Sequence, residues 1–439
     1  MDTPPTSESA TVAPPRRHLL LRLFLEYAKV SLLVVGGGYA IIVAADETFG
    51  KRLKWLREGE LLDHLPVFQM IPGLIAGNSA AYVGLKMAGV AGVATAMTAV
   101  ALPSFVVILA VARGYEWLPM DNAWVQGAFL GLRSALTGIV LGTAIKTWPR
   151  VMRGAYDYLA LAACLVLVLW FRVNAAWTLV GGMACGIALE LARPRRGGDA
   201  PPSGEGRPWR GLWPGVLLAA ACAAAAPAIF ATFAKFGLLC FGGGNVLVPV
   251  YFDEFVGPEA PLLQLPAEEF NNLLAVTQMT PGPISVNAAT FFGYRLAGAG
   301  GSFVATAGLL LPSFFLMVLA LRSLEKWRAN PVVKGLLRGV APATVALMLV
   351  ATLIFAKMSV FDGTVTLESF WNFVRGIRVF ADSLSAGAVD HDLHVRPFGL
   401  LLAGVSTWAL WRGRLRIMPL ILLCASLGAL LRPLWFRIP

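Results

Sequence analysis

Residues 69–105 read QMIPGLIAGNSAAYVGLKMAGVAGVATAMTAVALPSF, and residues 278–314 read QMTPGPISVNAATFFGYRLAGAGGSFVATAGLLLPSF. At a constant offset of 209 residues the two stretches are identical at 16 of 37 positions. The matches include Gln69-Met70, Pro72-Gly73, Asn78, Gly84 and Pro103-Ser104-Phe105, answered by Gln278-Met279, Pro281-Gly282, Asn287, Gly293 and Pro312-Ser313-Phe314. Apolar composition alone would repeat neither polar side chains nor helix breakers, so the chain is a fused tandem duplication.

Working outward, Lys29 pairs with Lys235 and Gly36-Gly37-Gly38 with Gly242-Gly243-Gly244, at an offset of 206. An acidic pair follows each triplet, Asp46-Glu47 and Asp253-Glu254, and Arg133 answers Arg338 farther on. The expected organisation is a disordered, Pro/Ser/Thr-rich tail over 1–18, a first repeat over 19–192 and a Gly/Pro/Arg-rich linker over 193–212. Residues 213–439 would then hold an extra crossing helix and the second repeat, with a polar insertion over 358–398.

Composition sets the solvent. Apolar residues make up 57% of the chain, charged residues 14%, and the mean hydropathy is +0.69. Apolar stretches of roughly 17 to 30 residues are long enough to cross a hydrocarbon core as helices, and the alternation of a β-barrel is absent. The fold class expected is an all-α membrane protein with broken or re-entrant helices. The net charge of +11 comes from Lys and Arg that flank apolar segments, which fits membrane topology and not a nucleic-acid surface. The five cysteines have no paired spacing, and His391-Asp392-Leu393-His394 lies in a polar stretch, so neither a metal nor another cofactor is expected.

Loop charges orient the two copies oppositely. Lys51, Arg52, Lys54 and Arg57 follow the first glycine triplet, whereas Asp253, Glu254, Glu259, Glu268 and Glu269 follow the second. After the Pro-Ser-Phe segments the pattern reverses, with Arg113 against Glu116 and Asp121 in the first copy but Arg322, Lys326, Arg328 and Lys334 in the second. Because basic residues concentrate in cytoplasmic loops, the copies are read as inverted-topology repeats. Inversion needs an odd crossing between them, for which 213–228 is available, and a net single crossing between the two loops of each copy. The segment around each Pro-Gly pair must then enter and leave by one face, as the helix-breaking effect of proline allows.

A helix beginning inside the membrane offers unpaired N–H groups and the positive end of its dipole, a setting for an oxyanion. Gly73 to Lys86 and Gly282 to Arg295 are the expected half-helices. Gln69, Gln278, Asn78 and Asn287 would add amide donors, with hydroxyls from Thr280 and Ser285 in the second copy only. Lys29, Lys235, Arg133 and Arg338 are cations inside apolar helices, where they usually face a polar cavity. The bland accounts are close helix packing for the glycine triplets, a kink at Pro103 and Pro312, and an ion pair between Lys29 and Glu26 one turn away. Glu26, Glu47 and Asp253 are the candidates for coupling to protons.

The motifs at Gly242-Gly243-Gly244, Gln278 to Ile284, Asn287 to Phe291 and Leu311 to Phe314 resemble those of the chromate ion transporter family. Both copies carry them, so the chain is similar to the long, two-domain form. The resemblance implies a multi-pass carrier of the bacterial inner membrane that exports chromate, with sulfate as a related substrate. The implied partners are the oxyanion and the lipid bilayer, with a homodimer as an open alternative and no nucleic acid. Ile71, Leu74 and Ala76 replace the equivalents of Thr280, Pro283 and Ser285, so the second copy is the stronger candidate for contacts. The alternatives are an anion channel and a membrane-embedded enzyme. For the latter no paired carboxylates or activated nucleophile stand near the breaks.

Overall fold

The computed structural model describes residues 18–34, 38–192, 213–241, 243–258, 260–322, 330–362, 394–412 and 417–435. Residues 1–17 of the tail, the linker and most of the polar insertion lie outside them. Apart from a two-residue ladder joining Phe361–Asp362 to His394–Val395, every regular element described is helical, as expected of an all-α membrane protein.

In chain order the helices are α1 Leu19–Leu33, α2 Gly38–Asp46, a π-helical turn Glu47–Arg52, α3 Glu60–Asp63, α4 Leu65–Met70, α5 Ile75–Tyr115, α6 Ala123–Val151, α7 Ala155–Leu169 and α8 Ala175–Leu191. Then come α9 Trp213–Ala225, α10 Pro227–Leu239, a short 3-10 turn Gly244–Leu247, α11 Val248–Phe255, α12 Ala267–Met279 and α13 Ile284–Arg322. The chain ends with α14 Pro331–Ser359, α15 Pro397–Arg412 and α16 Ile417–Trp435. Four helices among the described residues are long and apolar enough to cross a membrane, within α5, α6, α13 and α14. The protein is multi-pass. The extra crossing expected at 213–228 falls on the 13-residue apolar helix α9, which α10 follows directly after Ala226.

Two compact units form, and they are not the two sequence copies. One contains residues 1–117, 151–264 and 276–347, and the other 118–150, 265–275 and 348–439. In the first unit α1 packs on α5, α10 on α13, and α5 on α13, so each copy contributes the same pair of helices. One contact falls at matching positions in the two pairs. Ser31 donates its hydroxyl to the Val100 carbonyl (2.6 Å), and at the equivalent place Gly237 lets the Leu309 carbonyl approach its Cα directly.

Helix α5 is not one rod. Ala88 and Gly89 leave helical geometry, Gly89 at φ +62°. A Cβ on Gly84 would lie 2.7 Å from the Val93 nitrogen, although a straight helix would separate those residues by about 13 Å. The chain therefore reverses, and the half-helix 75–87 lies against the helix 90–115. The same reversal occurs at Ala297–Gly298, where the Thr290 and Thr306 hydroxyls meet at 2.9 Å and Ser302 donates to the Thr290 carbonyl.

The segment before the half-helix also runs back along it. The Lys86 ammonium meets the Glu60 carboxylate at 2.6 Å, and Tyr82 Oη donates to the same carboxylate at 2.7 Å. Residues 60 and 86 would stand about 39 Å apart in a continuous helix. The rings of Phe68 and Tyr82 lie 5.6 Å apart, which extends the side-by-side packing towards the break. Residues 60–87 thus descend and return, the geometry required of a segment that enters and leaves by one face.

Burial would raise the Glu60 carboxyl, but hydrogen bonds from Lys86, Tyr82 and the Arg57 N–H outweigh it and hold the group below its ordinary value. A lowered folded-state value means stability that is complete near neutral pH and lost as pH falls through the lowered value. Glu60→Gln is therefore expected to destabilise by about 1–2 kcal/mol at neutral pH. The gap from wild type should close on acidification, as thermal unfolding across a pH series would reveal.

In the second unit α6 is held by small residues. Gly131 admits the Cys424 carbonyl of α16 and Gly138 the Ala403 carbonyl of α15, while Thr407 donates to the Gly138 carbonyl at 3.2 Å. Thr137 and Ser359 hydroxyls meet at 2.9 Å in the interior.

Candidate functional site

The site residues of the first unit gather around the two Pro-Gly breaks. Each break is a turn whose glycine takes a positive φ, +124° at Gly73 and +105° at Gly282, which a side chain would oppose. Both glycines then bond across the duplication. Gly73 N–H donates to the Cys240 carbonyl (2.8 Å), and Gly282 N–H to the Val34 carbonyl (3.2 Å). Cys240 and Val34 are themselves equivalent, 206 residues apart, and each ends the helix that precedes a glycine triplet. The two breaks therefore brace one another reciprocally, each against the other copy.

The Pro-Ser-Phe motifs complete that brace. A Cβ at Gly73 would stand 2.5 Å from Ser313 Cβ, and one at Gly282 would stand 2.6 Å from Ser104 Oγ. The expected kink at Pro103 and Pro312 falls inside α5 and α13, but the residue after each proline matters more. Ser104 and Ser313 are not among the site residues expected from the sequence, although the repetition of Pro-Ser-Phe is the signal that points to them.

Asn78 and Asn287 depart from their expected role as donors to an anion. Asn78 Nδ2 donates to the carbonyls of Phe68 and Ile71, both at 2.9 Å, and Asn287 Nδ2 to those of Thr277 (3.0 Å) and Thr280 (3.1 Å). These are carbonyls that the break strips of their helical N–H partners, and in a membrane they need a donor from the protein. The asparagine donors are spent on holding the break open, while both Oδ1 atoms are buried without a partner among the described residues.

The remaining groups face inward. Gln278 is buried, and its Nε2 has no acceptor among the described residues; the Ser313 hydroxyl has no partner there either, and Asn245 Oδ1 has no donor. Thr280 donates its hydroxyl to the Val276 carbonyl (2.8 Å), and Ser285 lies 3.7 Å from the Cys240 thiol. Pro72 and Pro281 sit half-buried at the turns, and Gln69, half-buried, occupies the place of Gln278 in the first copy. Gly36, Gly37 and Gly242 lie outside the described residues. Gly38 and Gly244 come up against the half-helix N-termini, since a Cβ would stand 3.2 Å from the Ala76 nitrogen in one case and 3.1 Å from the Ser285 nitrogen in the other. A Cβ at Gly243 would lie 3.7 Å from Ile75 Cδ1, so the second triplet touches the first half-helix. The first-turn N–H groups of both half-helices, with their partial positive charge, thus converge in one unit beside a buried amide donor.

The four cations are all partnered. Lys29 is exposed and 3.6 Å from Glu26, as the ion-pair account expects, and Glu26 also binds Arg52. Lys235 pairs with Glu254 of α11. Arg338 lies 3.7 Å from the Glu190 carboxylate and stacks on the Tyr156 ring at 5.0 Å. Arg133 belongs to the second unit, where it is buried and donates to Asn272 Oδ1 (2.9 and 2.7 Å) and to the Glu268 carboxylate (2.8 Å). Neither arginine makes a contact with the breaks that the described geometry records. The Asp253 carboxylate caps α8 by accepting the Ala175 N–H at 2.7 Å.

Residues 21–187 and 227–429 match the chromate transporter family, one segment in each sequence copy. The chain is 26% identical over 379 residues to the chromate transport protein of Cupriavidus metallidurans, covering 82% of this chain and 88% of that one. It is 26% identical over 373 residues to a probable chromate transport protein of Synechococcus elongatus (81% and 90%) and 24% identical over 426 residues to the chromate transport protein of Pseudomonas aeruginosa (92% and 95%). No solved structure matches. With both segments of the match spanning most of its length, this chain belongs to the chromate transporter family.

Proposed function

We propose that the protein is a secondary carrier of tetrahedral oxyanions that exports chromate across the bacterial inner membrane, by alternating access at the paired Pro-Gly breaks. The observation that carries this is the convergence, within one unit, of two half-helix N-termini and the buried Gln278 amide donor, which has no acceptor among the described residues. Neutral donors and helix dipoles attract a dianion without holding it as tightly as fixed charges would, which suits a site that must release its cargo. The opposed loop charges and the folded-back segment at residues 60–87 support inverted repeats, the arrangement that lets two copies rock about a fixed site.

The test is flux into proteoliposomes of purified protein, comparing chromate, sulfate and chloride with and without an imposed proton gradient. Saturable chromate or sulfate flux is expected, and Gln278→Ala should lower it at least tenfold. Because that amide nitrogen has no acceptor among the described residues, its removal should leave stability unchanged or slightly raised, as where function opposes stability. Chloride flux alone, or a Gln278→Ala protein that carries oxyanions at the wild-type rate, would count against the assignment.

A further inference from the structure

A cavity of about 490 Å³ opens in the first unit, and its charged lining residues are Glu26, Lys29, Glu47, Lys51 and Arg52. The wall is formed by α1 and by the π-helical turn Glu47–Arg52, which is closed by the Leu53 N–H bonding the Thr48 carbonyl five residues back. That wide turn presents Glu47, Lys51 and Arg52 to one cavity, and such turns are frequent at functional positions. Glu26, nearly buried, is shared by two cations, Arg52 and Lys29. Lys51 is 3.2 Å from Glu58 in an exposed pair, which is worth little. The lining thus sets three cations against two carboxylates.

Val34 also lines the cavity, and its carbonyl is the acceptor of the Gly282 N–H, so the inner wall abuts the break of the second copy. The excess of basic residues belongs to one copy alone. At the positions 207 residues on, Pro258 and Glu259 stand in place of Lys51 and Arg52, and at the offset of 206 Thr232 stands in place of Glu26.

We propose that this cavity is the cytoplasmic vestibule in which a tetrahedral dianion is captured before it reaches the breaks. Arg52 and Lys29 are the groups that bind it, Glu26 is the carboxylate it displaces from them, and Lys51 steers it at the rim. The proposal rests on the oxyanion-carrier assignment, and its cytoplasmic side follows from the basic loop 51–57 that the turn leads into. Glu26 tethers both of these cations. An arriving dianion offers them two charges in place of one, and the vestibule's net positive charge raises the local anion concentration.

The experiment measures initial rates of radiolabelled sulfate transport in proteoliposomes sorted by orientation and made of zwitterionic lipid, so that no anionic headgroup can occupy the cavity. Arg52→Gln and Lys51→Gln are each expected to raise KM about tenfold from the cytoplasmic face and to flatten its dependence on ionic strength. From the opposite face KM should be unchanged, and Arg52→Lys should recover most of the affinity. Unchanged KM and salt dependence from the cytoplasmic face, equal changes from both faces, or an effect seen only when anionic lipid is restored would overturn the vestibule. If Arg52→Gln fails to assemble, the exposed Lys51→Gln carries the same expectation. Wild-type protein that moves no oxyanion would overturn the carrier assignment, whereas wild-type flux with insensitive variants would overturn the vestibule alone.

Discussion

Gly282→Ala is expected to lose about 3 kcal/mol of stability and nearly all transport. At φ +105° the substituted backbone is strained, and the new methyl would stand 2.6 Å from Ser104 Oγ in the other copy. Gly298→Ala separates the two contributions. Gly298 has φ +59° but nothing within 4 Å of its Cβ position, so that variant should lose only about 1 kcal/mol. Ser104→Gly should restore much of the difference in the Gly282→Ala background. Ser313→Gly should do the same for Gly73→Ala, where the clash is with Ser313 Cβ at 2.5 Å. Thermal unfolding in detergent, read alongside flux, gives all these values. Equal losses for Gly282→Ala and Gly298→Ala would mean that the copies do not meet at the break.

Asn287→Leu is the second large effect. It takes one donating amide from the Thr277 and Thr280 carbonyls at a place where no helical N–H reaches them. Orphaned buried acceptors cost about 1–3 kcal/mol each, and lipid supplies no substitute for water. A loss of about 3–5 kcal/mol is expected, seen as failure to purify as a monodisperse species or as a sharply lowered unfolding temperature. Asn287→Asp should not rescue, because a carboxylate would present acceptors to acceptors. A stable, active Asn287→Leu protein would show that the break needs no such support.

The repeat was the legible part of the fold. Gln69, Pro72-Gly73 and Asn78 recur with their spacing intact, and proline's missing donor told where the helices break. The half-helices begin at Ile75 and Ile284, two residues past the glycines that marked them in sequence. The reversals at Ala88–Gly89 and Ala297–Gly298 were not legible, because a lone glycine in an apolar run looks the same whether it eases packing or turns the chain. Nor did the sequence reveal that compact units cut across the copies, since that follows from which helix faces meet.

For the site, residue types were easier to find than roles. Asn78 and Asn287 stood out as repeated amides, but only hydrogen-bond geometry shows their donors turned onto Phe68, Ile71, Thr277 and Thr280 carbonyls. Ser104 and Ser313 read as part of a kink because each one's partner, a glycine of the opposite copy, lies more than 170 residues away in sequence. The cations were placed inside apolar helices by sequence, and Glu26 one turn away was legible as the partner of Lys29, whereas Glu254 for Lys235 and Glu190 for Arg338 emerged only from packing.

The most direct measurement is the accessibility of a single cysteine at Ser285→Cys, with the five native cysteines replaced, to a charged thiol reagent applied from either face of oriented proteoliposomes. Alternating access at the breaks requires labelling from both faces, slowed by sulfate with half-protection near the transport KM. Labelling from one face only, or at a rate that sulfate leaves unchanged while flux saturates, would contradict an oxyanion site at the half-helix N-termini.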